Sequence, residues 1–105
     1  MMKSNRDNPP RKRLVREKYG GEIYAYYPLG KYIVAAPGVC GGRPTFKYTR
    51  IQAGFVLDLL SAGWSIPRIT REYRASRLTA EAVNEAIQLA KTALVKSSPA
   101  LRLAA

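Results

Sequence analysis

Four arginines, Arg68, Arg71, Arg74 and Arg77, stand three residues apart. On a helix and the segment that follows it, this spacing gathers guanidinium groups along one backbone. Such groups hold phosphates and position a protein on nucleic acid without reading its sequence. A solvated cationic face is the other reading, because basic residues occur throughout the chain. Arg11, Lys12 and Arg13 sit in a basic N-terminal run that either tracks phosphates or a minor groove, or is a solvated tail. Tyr24, Tyr26, Tyr27 and Tyr32 offer rings on which bases can stack, or form the wall of a small sheet or dimer contact. The inventory for catalysis is thin. Histidine is absent and Cys40 stands alone, so the commonest general base and a thiolate metal cluster are both missing. The seven acids are scattered, with no nucleophile beside a base and no carboxylate dyad. No catalytic residue, metal site or cofactor is expected.

The length of 105 residues fits one domain, whose modest core would gain from self-association; a homodimer is expected. The formal charge of +11 favours an anionic partner. A lone cysteine points to a reducing compartment, and neither a secretory leader nor a membrane-spanning apolar run is present, so a cytoplasmic protein is expected.

The elements that must carry these residues follow from periodicity. Residues 1–20 read as a flexible basic arm, set among Ser, Asn and Pro9-Pro10. A single domain spans 21–97. Ile23 to Tyr27 and Tyr32 to Ala35 read as strands joined by Pro28-Leu29-Gly30-Lys31, giving a β-hairpin over 22–36. A glycine loop occupies 37–44, where Gly38, Gly41 and Gly42 can take positive φ and Pro44 cannot donate a hydrogen bond. A third short strand is expected near Thr45 to Tyr48.

Three helices follow, at about 53–62, 66–73 and 80–96. Ile51, Phe55, Val56, Leu59 and Leu60 make the apolar face of the first, and Gly63 stops it. Ser65 caps the second, with Trp64 and Ile69 as a hydrophobic staple; Thr79 caps the third, with Leu78 and Val83 in the same roles. The apolar face of the third runs Val83, Ala86, Ile87, Ala90 and Leu94. The tail, 98–105, is expected to be loose. The expected fold class is α+β but mainly helical, a short N-terminal hairpin or small sheet followed by three helices.

One series of motifs carries a resemblance. Pro37-Gly38-Val39-Cys40-Gly41-Gly42-Arg43-Pro44, then Thr49-Arg50-Ile51, Ala62-Gly63 and Leu78-Thr79 occur in that order. In this the chain resembles domain-of-unknown-function family 433, whose members look like the antitoxins of Vap-type toxin–antitoxin pairs. Gly38, Cys40, Gly41, Gly42, Pro44, Thr49, Arg50 and Ile51 form the shared motif. Tyr48 departs from it, standing where the family pattern has glycine. The resemblance implies a helix-turn-helix unit of homeodomain-like or winged-helix-like kind, and a DNA-binding antitoxin that neutralises a PIN-type toxin. On that implication the third helix would enter the major groove, where Asn84 and Gln88 could read adenine edges, while Glu81 and Glu85 would repel phosphate.

The join Arg74-Ala75-Ser76-Arg77 is longer than a tight helix-turn-helix needs. Arg50 either donates to phosphate or ties the glycine loop to the helices, and Cys40 reads as a small buried filler. The glycine loop lacks the Lys-Ser/Thr of a phosphate-binding P-loop. Leu103-Ala104-Ala105 resembles a bacterial degradation tail. The functional expectation is a small DNA-binding regulator acting as an antitoxin; the alternative is a module that binds an acidic partner protein without touching DNA.

Overall fold

A computed structural model of the chain describes residues 13–97. Arg11, Lys12 and the Leu103-Ala104-Ala105 ending therefore lie outside the described residues. Four strands, β1 (Val15–Tyr19), β2 (Glu22–Pro28), β3 (Ile33–Ala35) and β4 (Pro44–Phe46), pair antiparallel in chain order. Three helices follow, α1 (Ala53–Ser61), α2 (Ile66–Glu72) and α3 (Ala80–Lys96). The fold is thus α+β with a full four-stranded sheet, which corrects the expectation of a mainly helical helix-turn-helix unit behind a short hairpin.

The correction comes largely from β1, drawn from residues assigned to the arm. Val15, Glu17 and Tyr19 face the same side as Tyr24 and Tyr26 of β2, and Arg16 and Lys18 face the other. Tyr19 pairs with Glu22 across a two-residue turn, Gly20-Gly21, with φ of 63° and 85°. Both values favour glycine, and such a turn suits the right-handed twist of a hairpin. Among the described residues β1 is an outer strand, paired with β2 alone.

The main core lies between the other face of the sheet and the helices. Ile33, Phe46, Val56, Ile69, Leu78 and Val83 fill it, with Ala53, Ala82 and Ala86 where backbones approach. A smaller cluster of Tyr26, Val34 and Ala36, with Val15, Tyr24 and Val39 against it, occupies the opposite face. That face is roofed by side chains and the glycine loop.

In that loop Cys40, Gly41 and Gly42 all take left-handed φ, at 51°, 66° and 82°. The Gly42 N–H donates to Val39 O at 2.9 Å, and the Cys40 thiol donates to the Arg50 carbonyl at 3.4 Å. Cys40 is half-buried and ties the loop to the strand–helix junction. The junction itself is clamped by Thr49, whose Oγ1 donates to Phe46 O at 2.8 Å and accepts from Ile51 N at 3.0 Å.

The helix ends follow their chemistry. Trp64 N donates to Leu59 O and Gly63 N to Leu60 O, both at 3.0 Å, closing α1 in a Schellman motif around Gly63 at φ 99°. Ser65 Oγ accepts from Arg68 N at 3.1 Å, and Thr79 Oγ1 from Ala82 N at 3.2 Å. Three side chains of the expected apolar faces, Phe55, Ala90 and Leu94, are exposed. Phe55 is exposed and meets Tyr73 edge-on at 6.0 Å. Leu94 is 68% exposed, because residues 90–97 of α3 and its cap extend past the body of the fold.

α3 is fastened to the sheet by Glu85. Its carboxylate accepts from the backbone N–H groups of Lys31, Tyr32 and Ile33 at 2.8, 2.7 and 3.0 Å. Gly30 completes the fit, since a Cβ there would lie 2.6 Å from the pinned carboxylate. Glu85→Ala orphans these donors and is expected to lower stability by about 2–3 kcal/mol. Gly30→Ala alone is expected to cost about 1–2 kcal/mol by overpacking. Urea denaturation of the double variant checks the link: with Glu85 already truncated, Gly30→Ala should cost little more, a clear departure from additivity.

Candidate nucleic-acid interface

Between the β4–α1 junction and the α2–α3 join lies an open cleft of about 820 Å³. Lys31 comes from the β2–β3 turn, Lys47 and Arg50 from the junction after β4, and Arg77 from the join before α3. Tyr19, Tyr32 and Tyr48 add aromatic wall, and Thr79 and Ala82 bring the first turn of α3 to the edge. Among the described residues, no carboxylate lines the cleft. Four cations from three separate segments thus meet around a concave surface, where low-dielectric walls focus a positive field.

Two lining residues are held in left-handed backbone, Tyr48 at φ 68° and Arg77 at φ 59°. For a residue with a Cβ this costs roughly 1–2 kcal/mol and persists only where surrounding contacts impose it. For Tyr48 those contacts are clear. Its N–H donates to the Tyr24 hydroxyl at 3.0 Å, and its own hydroxyl donates to Glu17. Its ring stacks on Tyr19 with centroids 4.3 Å apart and planes 13° from parallel.

Glu17 organises this wall from behind. It accepts from the Tyr26 hydroxyl at 2.9 Å and pairs with Lys47 Nζ at 3.7 Å. The Tyr48 hydroxyl, then that of Tyr26, hold the Glu17 carboxyl below its ordinary range, and Lys47 adds to the effect. In return Glu17 holds the Tyr48 phenol above its ordinary value. Lys47, whose ammonium lies 4.7 Å from the Tyr26 ring centroid and 4.9 Å from that of Tyr48, is held above the usual lysine range, first by the Tyr26 hydroxyl and further by Tyr48 and Glu17. It therefore stays cationic at neutral pH.

The residues singled out from sequence fare unevenly. Arg77 lines the cleft, but the Arg68 guanidinium sits over the Trp64 ring, 3.7 Å from its centroid, at the α1–α2 turn. Arg71 and Arg74 are exposed and do not line the cleft. Of the four arginines, only Arg77 lines the cleft. Asn84 and Gln88 are exposed on α3, outside the cleft, and Arg13 is exposed ahead of β1. Glu85, expected to repel phosphate from α3, is turned instead onto the hairpin.

Arg50 ties the glycine loop through its carbonyl, and no hydrogen bond or ion pair among the described residues engages its guanidinium. Lys31 and Tyr19 carried no signal of this role in the sequence, one lying in a turn and the other in the supposed arm. Among the described residues, no three His, Cys, Asp or Glu side chains are grouped to hold a metal ion, and no helix is long and apolar enough to cross a membrane. What the site offers chemically is recognition of negative charge beside aromatic rings.

A model of the family described as "Protein of unknown function (DUF433)" matches residues 33–90. The chain belongs to that family. The DUF433 match takes in the glycine loop, the Thr49-Arg50-Ile51 clamp, all of α1 and α2 and most of α3, together with Lys47, Arg50 and Arg77 of the cleft. It leaves out β1, β2 and hence Tyr19, Glu17, Tyr24 and Tyr26. Comparison with curated proteins and with solved structures found no match.

The Glu17 assembly has a testable sign. A carboxyl depressed by folding stabilises the fold fully above its ordinary value of 4.5, and this stabilisation is lost as pH falls through the lower folded value. In Tyr48→Phe the strongest donor to Glu17 is gone. Carboxyl-carbon NMR titration should then show the Glu17 midpoint climbing back toward 4.5.

Proposed function

We propose that this DUF433 protein is a small cytoplasmic DNA-binding regulator, and that the cleft is where it holds phosphate. The observation that carries the reading is the convergence of Lys31, Lys47, Arg50 and Arg77 on a surface that, among the described residues, no carboxylate lines. An overall charge of +11 would draw a polyanion toward it at long range. Arg50 and Arg77 are the principal phosphate donors, because Lys47 is shared with Glu17 and Lys31 lies 5.3 Å from the Tyr32 ring centroid. The role is one of binding, not catalysis. In keeping with the resemblance, the regulator would serve as the antitoxin of a toxin–antitoxin pair with a PIN-type toxin as partner. Apolar side chains left in solvent on β2 and α3, Ile23 and Leu94 among them, are available for that partner or for a second copy.

The competing reading is a protein-interaction module whose cationic cleft receives an acidic protein. Titration of labelled duplex DNA at several salt concentrations separates the two. Phosphate binding gives a linear fall of log K with log salt, with a slope of about 0.9 per neutralised phosphate. Arg50→Ala and Arg77→Gly are each expected to weaken binding several-fold and to lower that slope by about one contact's worth. Glycine suits position 77 because the backbone there is left-handed, so the charge is removed without added strain. Absence of DNA binding at low salt would favour the interaction module.

A further inference from the structure

The cleft has a second chemical character besides charge. Tyr19 and Tyr48 form a stacked pair at its wall, yet they remain 52% and 40% exposed. Tyr48 is covered on one side by Tyr19 and approached by Lys47, while Tyr24 meets both rings at a tilt. The outer face of Tyr19 is where the stack can be continued. Neither ring is free to wander. The Tyr48 hydroxyl is fastened to Glu17, its N–H to Tyr24, and Tyr19 is held in β1 opposite Glu22.

The backbone beneath Tyr48 points the same way. At φ 68° glycine would sit there without strain, so a tyrosine is held there by its surrounding contacts. A tyrosine kept at such a site, and braced by three separate contacts, presents a fixed aromatic surface beside Lys47 and Arg50.

We propose that the cleft binds unpaired nucleotides, with a base extending the Tyr48–Tyr19 stack and neighbouring phosphates on Arg50, Arg77 and Lys31. The proposal rests on the nucleic-acid reading above and sharpens it. A cleft of about 820 Å³ is of a size that encloses a small molecule. A duplex, whose bases are already stacked on one another, offers the cleft its phosphates but no free base face. An unpaired strand can place both base and phosphate inside. Cations that follow a backbone beside aromatic platforms are the means by which single strands are held without regard to sequence.

The test uses the full chain and three labelled probes at one low salt concentration: a thymine-only DNA strand, a uracil-only RNA strand and a duplex of the same length. Fluorescence anisotropy should show at least one unpaired strand binding about tenfold tighter than the duplex. Whichever of DNA or RNA binds tighter identifies the source of the strand, since the 2′-hydroxyl distinguishes them. Tyr19→Leu and Tyr48→Gly should each weaken strand binding about tenfold while leaving duplex binding within about twofold, and Tyr19→Phe should retain it. Circular dichroism checks that Tyr48→Gly is folded; the two Tyr19 variants decide the matter if it is not. Equal affinity for duplex and strand, or equal weakening of both by the tyrosine variants, overturns the stacking inference and leaves phosphate binding standing. Failure of all three probes to bind overturns both.

Discussion

A single carboxylate, that of Glu85, collects the backbone N–H groups of three successive residues at the β2–β3 turn, more than fifty positions earlier in the chain. Turn amides have no partner in a sheet ladder, and a charged acceptor satisfies them more strongly than a neutral one. Much else depends on this union. It sets α3 against the end of the sheet, and α3 in turn packs on α1 and α2. It also determines the cleft. Lys31 and Tyr32 on one wall belong to the very turn that Glu85 grips, and Thr79 and Ala82 on the other belong to the first turn of α3. The absence of a side chain at Gly30 is part of the same arrangement.

Around that anchor, charge and strain are distributed unequally between two portions of the chain. The stretch matched by the family, 33–90, supplies most of the cationic side: Lys47, Arg50 and Arg77. The preceding hairpin supplies Tyr19 and, through Glu17, Tyr24 and Tyr26, the framework that fixes Tyr48. Tyr48 is where the two portions meet. Its left-handed backbone belongs to the Thr49-Arg50-Ile51 clamp, while its ring and hydroxyl belong to the hairpin.

The helices were legible in the sequence because their signals are local. Caps at Ser65 and Thr79, the stop at Gly63 and apolar spacing place their ends within a residue or two of the observed ones. The hairpin β2–β3 was legible for the same reason. β1 was not: its charged residues outweighed an alternation that becomes meaningful only when Gly20-Gly21 is read as a two-residue turn. The cleft was hidden for a different cause. Its cations come from three separate stretches of the chain, and the turn bearing Lys31 is set against α3 by Glu85, a contact that no spacing rule reveals. The regular arginine series was visible precisely because it is local, yet Arg68 is spent on Trp64 and only Arg77 reaches the cleft.

β1 carries one more implication. Its outer edge runs Arg16-Glu17-Lys18, with cations on one face and an acid on the other. Were two such edges to join antiparallel about Glu17, each arginine would oppose a lysine and the two glutamates would oppose one another; a parallel in-register ladder would repeat every charge beside itself. Like charges directly opposite destabilise a ladder. The strand that completes the aromatic wall is therefore also a poor template for fibril growth.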